Sequence, residues 1–348
     1  MRIAHIHVWD KKNKGDVAIV LAVQELLKSE FSGVQILDFP VETLKVYSPS
    51  KIKRINQCDL VIFGGGGLFY HYFLPYEVVI IKAIKPPLFI FGVGYIKEIG
   101  APDLSRDELA GLLALVNRAS IVGVRDYYTR DYLLKNKVPA TKIKVIGDPA
   151  VLLPERKLSG YSDSKTIKLG LNLNYSGWLG FGVWREDILR AYREVAEYFQ
   201  NDLLNEVGRR KNKVQVYYLQ HHPGEKNIYK ELAIPGLRLV NLPPAEQKYV
   251  YGELDLVVGM MLHAGVMAFG ALTPEINVAY DLRNYSFAKF IGAPELVVDL
   301  DKLKEGALLK RVKLVWKNHE KYVKKFSLKK QVIKKLQTDF LKQIHKSL

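Results

Sequence analysis

Leu254-Asp-Leu-Val-Val-Gly-Met-Met-Leu-His-Ala-Gly-Val-Met-Ala-Phe-Gly-Ala-Leu-Thr-Pro-Glu-Ile-Asn-Val-Ala-Tyr-Asp281 is the stretch on which the fold turns. Asp255–Gly259 is a short β-branched run suited to a buried strand, and its glycine ends it. Leu262–Gly270 has the length and composition of a short helix, and Pro274–Asp281 reads as the next strand. His263 therefore falls at a strand-to-helix junction, where open α/β sheets place their ligands.

The same alternation extends outward in both directions. Upstream in this half stand strand Ile167–Asn172, helix Arg185–Val207, strand Val214–Leu219 and strand Leu237–Val240; strand Leu296–Asp299 follows. The first half alternates likewise. Strand Ile3–Val8, helix Asp16–Ser29, strand Val34–Phe39 and strand Asp59–Phe63 lead into Gly64–Gly67. Strand Leu88–Val93, helix Ser105–Asn117, strand Ser120–Val124, helix Tyr127–Asn136 and strand Ile143–Ile146 complete it. Strands separated by helices of this length imply parallel βαβ units. Asp59-Leu-Val-Ile-Phe-Gly in one half echoes Asp255-Leu-Val-Val-Gly in the other, which suggests two similar α/β domains. The expected division is 1–153 and 166–301, joined by a polar, aperiodic linker at 154–165 and followed by a tail at 302–348.

Composition bounds the function. The chain has 348 residues, enough for two cores, and its hydrophobic content of 48% is that of a globular protein. One cysteine, Cys58, excludes an internal disulfide and fits a reducing cytoplasm. The N-terminus opens on a strand rather than an apolar signal segment. The most apolar long window, Val78–Tyr95, is interrupted by two lysines and two prolines and cannot span a membrane. The formal net charge is +16, but residues 302–348 carry 15 Lys/Arg against 3 Asp/Glu, which leaves +4 for the preceding 301 residues. A basic groove for nucleic acid is not indicated. From Leu308 the tail has an apolar helical stripe (Val312, Val315, Trp316, Tyr322, Phe326, Ile333, Leu336, Phe340, Ile344) with lysines elsewhere. It reads as a helix docked on the body with a solvated lysine face, or as a basic surface for peripheral contact with an anionic membrane.

Several segments can carry chemistry. Gly64–Gly67 lets backbone N–H groups approach an anion or sugar, but matches neither a Walker loop nor G-x-G-x-x-G, and a bare turn would use it as well. Asn13-Lys14-Gly15-Asp16 opens a helix, with Asp16 the expected N-cap and Lys14 able to meet an anion. His71, His221 and His222 are acid–base candidates. Arg125-Asp126, at a strand's C-terminal end, can hold a carboxylate or phosphate, or form a structural ion pair at a helix start. His5 and His7 share a strand face as a possible metal pair, but no third ligand stands at a recognisable spacing, so no metal is expected.

In their order, Asn13-x-Gly15-Asp16, Asp59–Leu68 with its glycines, Val124-Arg125-Asp126 with Leu133, Gly147-Asp148-Pro149-Ala150, and Gly259–Ala264 with Tyr280-Asp281 resemble the polysaccharide pyruvyl transferase family. The resemblance runs from residue 13 to residue 281 and leaves out the tail. It implies an α/β fold of two Rossmann-like domains in a GT-B-like arrangement, here with a C-terminal helical tail. It implies transfer of pyruvyl from phosphoenolpyruvate to a sugar of a glycan or glycolipid precursor as a ketal. Phosphoenolpyruvate would be a co-substrate, with no nicotinamide, flavin or nucleotide cofactor. The implied catalytic residues are His263 as acid or phosphate ligand, Arg125 on the donor and His71 on the acceptor. Asn13, Asp16, Gly64, Gly65, Gly66, Gly67, Asp126 and Leu262 are implied to bind substrate. The expected location is cytoplasmic, with the tail at the inner membrane face.

One departure bears on the donor. The family carries Arg-Leu-His where this chain reads Met261-Leu262-His263. A lost charge-assisted contact costs about 1.5–3 kcal/mol. Arg283, Lys289 and Lys14 are the cations expected to compensate. The departure leaves room for a GT-B-like enzyme with a nucleotide-sugar donor, or for a degenerate glycan-binding protein.

Overall fold

The computed structural model describes residues 1–97, 101–174, 181–203 and 213–348, and by its contacts the chain forms two compact units. The first contains Met1–Lys11, Asp16–Leu152 and Gln331–Leu348; the second contains Lys12–Gly15 and Leu153–Lys330. The four residues that follow the first strand's exit thus belong with the second unit. The tail is divided, 302–330 lying with the second unit and 331–348 with the first.

The first unit holds strands β1 (Arg2–His7), β2 (Gln35–Pro40), β3 (Leu60–Phe69), β4 (Leu88–Tyr95), β5 (Val122–Val124) and β6 (Ile143–Val145), in the order β2-β1-β3-β4-β5-β6. Every described pairing is parallel. Helices α1 (Lys14–Glu30), α2 (Pro49–Ile55), α3 (Val78–Ala83), α4 (Arg106–Arg118) and α5 (Tyr127–Lys135) make the crossovers. Parallel strands covered on both faces bury continuous apolar runs, and Leu60–Phe63 and Leu88–Phe91 are almost wholly inaccessible.

The second unit repeats the plan with β7 (Thr166–Leu171), α6 (Phe181–Glu197), β8 (Lys213–Leu219), α7 (Lys226–Glu231), β9 (Arg238–Val240), α8 (Pro244–Gly252), β10 (Leu256–Gly259), α9 (Leu262–Gly270), β11 (Glu275–Ala279), α10 (Leu282–Phe290) and β12 (Val297–Asp299). Its sheet runs β12-β11-β10-β7-β8-β9, again parallel throughout the described pairings. The two echoing segments occupy equivalent places. Asp59 precedes β3 and its carboxylate accepts from the Arg2 amide at 2.6 Å; Asp255 precedes β10 and accepts from the Lys168 amide at 2.8 Å. In each sheet the strand order reverses beside the first strand of its unit, between β1 and β3 and between β7 and β10. Doubly wound sheets bind ligands at the carboxyl ends of strands at such a point.

Four local expectations change. The glycine run is not a loop after a strand: Gly64–Gly67 lies within β3, which continues to Phe69 with a register shift between Gly66 and Phe69. The helix expected at Arg185–Val207 starts earlier, at Phe181, and leaves α geometry after Glu197 for a π-helical turn, Tyr198–Leu203; 204–207 lie outside the described residues. The tail is two helices, α11 (Ala307–Lys317) and α12 (His319–Lys346), broken at Asn318. Asp16 is not the N-cap of α1. The helix begins at Lys14, and the Asn13 Oδ1 accepts from the Gly15 amide at 3.0 Å. Asp16 sits in the first turn, where its charge still complements the helix dipole.

Candidate functional site

In the second unit the polypeptide at the end of β7 is stitched to the start of α9 by one residue. The Asn172 amide donates to the Val258 carbonyl at 2.9 Å, its own carbonyl accepts from the Met260 amide at 3.1 Å, and its Oδ1 accepts from the Met261 amide at 3.1 Å. This holds His263 in the first turn of α9, at the topological reversal between β7 and β10.

Lys12–Gly15 packs on this junction. The Lys14 amide donates to the His221 carbonyl at 3.0 Å, and the Lys14 ammonium donates to the Gln247 Oε1 at 2.8 Å. The His263 ring lies on Gly15 so closely that a Cβ there would stand 2.3 Å from Nδ1. Only glycine permits that approach.

The electrostatics of this group are unusual for so buried a place. Burial holds the Lys14 ammonium down to about 8, against the pull of the Glu225 carboxylate. Burial holds His221 well below the ordinary imidazole range, and the charges of Lys14 and His263 lower it further. His221 Nε2 contacts the Tyr251 hydroxyl at 2.7 Å. Glu225 is pushed up to about 8 by burial, although the His221 and His222 amides and the Tyr218 hydroxyl all donate to it. Lys14, His221 and His263 thus come together at the end of the sheet beside one buried acid, with burial holding down the charged forms of Lys14 and His221. Such groupings of perturbed groups mark functional sites.

Of the proposed compensating cations, one is engaged elsewhere and one points to solvent. Arg283 makes Nε and Nη2 contacts to the Asp281 carboxylate, which also caps α10 through the Arg283 amide at 2.6 Å. Lys289 is exposed in the last turn of α10. Lys14 is the one of the three placed beside His263. Leu262 lines an apolar hollow with Phe269, Phe287 and Phe326, whose polar wall is Glu275 and Asn277. Burial pushes the Glu275 carboxyl up to about 8.

In the first unit Arg125 directly follows β5 and is 4% exposed. Its Nε donates to the Asp126 Oδ2 at 3.4 Å, and its Nη1 lies 3.8 Å from the Asp148 Oδ2. Nη1 and Nη2 are buried with no hydrogen-bond acceptor among the described residues. Gly94 makes room for the guanidinium, since a Cβ there would lie 2.1 Å from Nε. Asp126 also caps α5 by accepting from the Thr129 amide at 2.7 Å. Both sequence readings of Arg125 therefore keep a foothold: it is paired with carboxylates, and its outer nitrogens have unused donors.

Gly64–Gly67 serves packing first. A Cβ at Gly64 would meet the Phe91 carbonyl at 2.3 Å, at Gly65 the Ile19 side chain at 2.2 Å, and at Gly67 the Ile96 side chain at 2.1 Å. Gly65 and Gly66 have φ of +83° and +96°, and Gly66 comes within reach of the Asp16 carboxylate. His71 is exposed just past β3, its ring against Tyr70 at 4.2 Å. The sequence offers His221 as an acid–base candidate but does not single out Glu225 or Gln247. The visible signal was the His222-Pro-Gly-Glu225 turn, in which Glu225 closes a capping box on His222.

A family model described as polysaccharide pyruvyl transferase matches residues 13–281. No curated protein matches the sequence. Among solved structures, UDP-GlcNAc 2-epimerase from Neisseria meningitidis bound to UDP-GlcNAc is similar, with a TM-score of 0.63 at 11% identity over 99% of this chain and 100% of that one. The S. aureus MnaA–UDP structure gives 0.59 at 10% identity, covering 94% and 90% of the two chains. Anabaena Alr3699/HepE in complex with UDP and glucose gives 0.56 at 12% identity, covering 100% and 99%. At these identities the likeness shows the α/β fold and not the chemistry.

Proposed function

This chain belongs to the polysaccharide pyruvyl transferase family, and from that premise we propose that it transfers pyruvyl from phosphoenolpyruvate to a sugar of a cell-surface glycan precursor. The observation that carries the reading is the grouping of Lys14, His221 and His263 about Gly15. The donor brings a carboxylate and a phosphate, so it needs cations in a place from which water is largely excluded. Lys14 supplies the charge that Met261 lacks.

In this reaction the donor's methylene carbon takes a proton and its neighbouring carbon becomes electrophilic. Two sugar hydroxyls then bond to that carbon while phosphate departs. Of the two hydroxyl protons, one is balanced by the new methyl group and the other leaves with phosphate. His263 is the proton donor to the methylene carbon, a role worth about 10²–10⁴ in rate. Arg125 and His71 remain, as the resemblance implies, the candidates for holding the donor and orienting the acceptor. No redox cofactor is called for, because the transfer changes no oxidation state overall.

The test is phosphate release from phosphoenolpyruvate with a panel of glycosides, with the ketal detected by mass spectrometry. His263→Ala and Lys14→Met should each lower turnover at least about 100-fold while leaving the fold intact. Unchanged turnover in both would reject the assignment.

A second reading is favoured by the similar structures that hold UDP or UDP-GlcNAc: a glycan-modifying enzyme with a nucleotide-sugar donor. Thermal shift separates the two, since a ligand at about 100 times its Kd stabilises by about 2.7 kcal/mol. Stabilisation by phosphoenolpyruvate and not by UDP-sugars is expected; the reverse result would replace the first reading with the second.

A further inference from the structure

Within the first unit, one nitrogen from each of His5 and His7 and one Asp38 carboxylate oxygen all lie within 4.8 Å of one another. The sheet brings them together. His5 and His7 alternate along β1 onto one face, and the parallel register sets Asp38 of β2 directly beside His5.

The backbone fixes what each imidazole offers. His5 Nε2 lies 3.1 Å from the Gly64 carbonyl, and His7 Nδ1 lies 2.5 Å from the Val8 carbonyl. A carbonyl can only accept, so His5 Nε2 and His7 Nδ1 must both carry the hydrogen. The opposite nitrogens are then His5 Nδ1 and His7 Nε2. His5 is fully buried, and its Nδ1 has no hydrogen-bond partner among the described residues. His7 Nε2 lies 2.9 Å from the Asp38 Oδ1, a contact held by a proton on Nε2 without metal and by a bridging ion in its place when metal is bound. Metal-binding histidines characteristically donate their other ring N–H to a backbone carbonyl or carboxylate, which orients the ligating lone pair.

We propose that His5, His7 and Asp38 form a binding site for a divalent late first-row metal ion, with Zn²⁺ as the matching probe. Two imidazoles and one carboxylate suit that class of ion and would leave a fourth position to water. Ligand atoms around tetrahedral zinc stand roughly 3.3 Å apart, given bonds of about 2.0–2.1 Å. The His7–Asp38 contact is already within that span, and the widest gap closes by about 1.5 Å. The Asp38 side chain is 41% exposed against 6% for His7, so the ion enters from the Asp38 side. Gln24 Nε2 donates to the Asp38 Oδ1 at 2.6 Å and restrains the carboxylate. Bound, the ion would clamp β1 to β2. The site does not depend on which donor the enzyme uses.

The experiment titrates Zn²⁺ alone into the chelator-treated full-length protein by calorimetry, with thermal melting in parallel. One ion per chain should bind and raise the Tm. Asp38→Asn, at the half-exposed position, should weaken binding at least tenfold while circular dichroism stays unchanged. His7→Gln should do the same, and His319→Gln, a histidine outside the site, should bind as the native chain does. Absence of stoichiometric binding, or binding undiminished in both Asp38→Asn and His7→Gln, would overturn the proposal.

Discussion

Gly15 shows how much can rest on the absence of one methyl group. The His263 ring occupies the volume that any side chain at residue 15 would need. Gly15→Ala should displace the ring and lower turnover by at least about 100-fold, with little further loss when His263→Ala is added. Additive losses in that cycle would show that Gly15 acts by another route. Glu275 gives a second prediction at this scale. Its carboxyl titrates near 4.5 when unfolded and near 8 in the fold. Between those values the folded state holds a proton that the unfolded chain has lost, so stability is greatest below about 4.5 and falls as pH rises towards 8. The slope is at most about 1.4 kcal/mol per pH unit. Denaturant melts of Glu275→Gln across that window should be flatter than those of the native chain; parallel curves would refute the assignment. His263 was legible as a junction residue, because a β-branched run, a glycine and a helix place it in sequence. Glu275 was not, because nothing in Pro-Glu-Ile-Asn reveals that the strand is covered on both faces.

The elements were found largely where periodicity put them, and the exceptions have local causes. β3 continues through glycines because β4, α1 and Ile96 approach Gly64, Gly65 and Gly67 too closely for side chains, and Gly66 has φ of +96°. Gly65→Ala, with φ of +83° and Ile19 in the way, should destabilise by more than 1 kcal/mol in chemical denaturation. The end of α12 is likewise part of a core. Ile333, Gln337, Phe340, Leu341 and Ile344 are buried in the first unit, Phe340 packs on Phe91 at 5.7 Å between ring centres, and the Gln337 amide donates to the Asp148 carbonyl at 3.2 Å. Phe340→Ala should therefore cost about 3–5 kcal/mol, measured by the same method. Truncating the tail would remove core residues and so would not isolate its surface properties.

At the scale of the molecule, the basic excess lies on helices whose apolar stripe is mostly spent on packing, with Leu336 left exposed. Among the described residues no helix is long and apolar enough to cross a membrane. Lys321, Lys324, Lys334, Lys335, Lys342 and Lys346 are exposed on α12, and peripheral contact with an anionic membrane is a proposal that rests on them. Replacing all six by glutamate should abolish sedimentation with phosphatidylserine vesicles at low salt, with the Tm preserved. Equal partition of the two proteins would remove the membrane role.

The sequence by itself determined the alternation of strand and helix, the two halves with their echoing Asp-Leu-Val segments, the position of His263, and the family. All of these are written in short windows, where periodicity and turn residues act locally. Tertiary structure alone decided that Lys12–Gly15 packs with the second unit, that Glu225 and Glu275 are buried acids, and that Asp38 completes a cluster with His5 and His7. Those facts depend on strand register and on crossovers between residues far apart in the chain, so no local pattern encodes them. The opening stretch thus fixes where His263 stands, while its charged neighbours come from elsewhere in the chain, above all from Lys14.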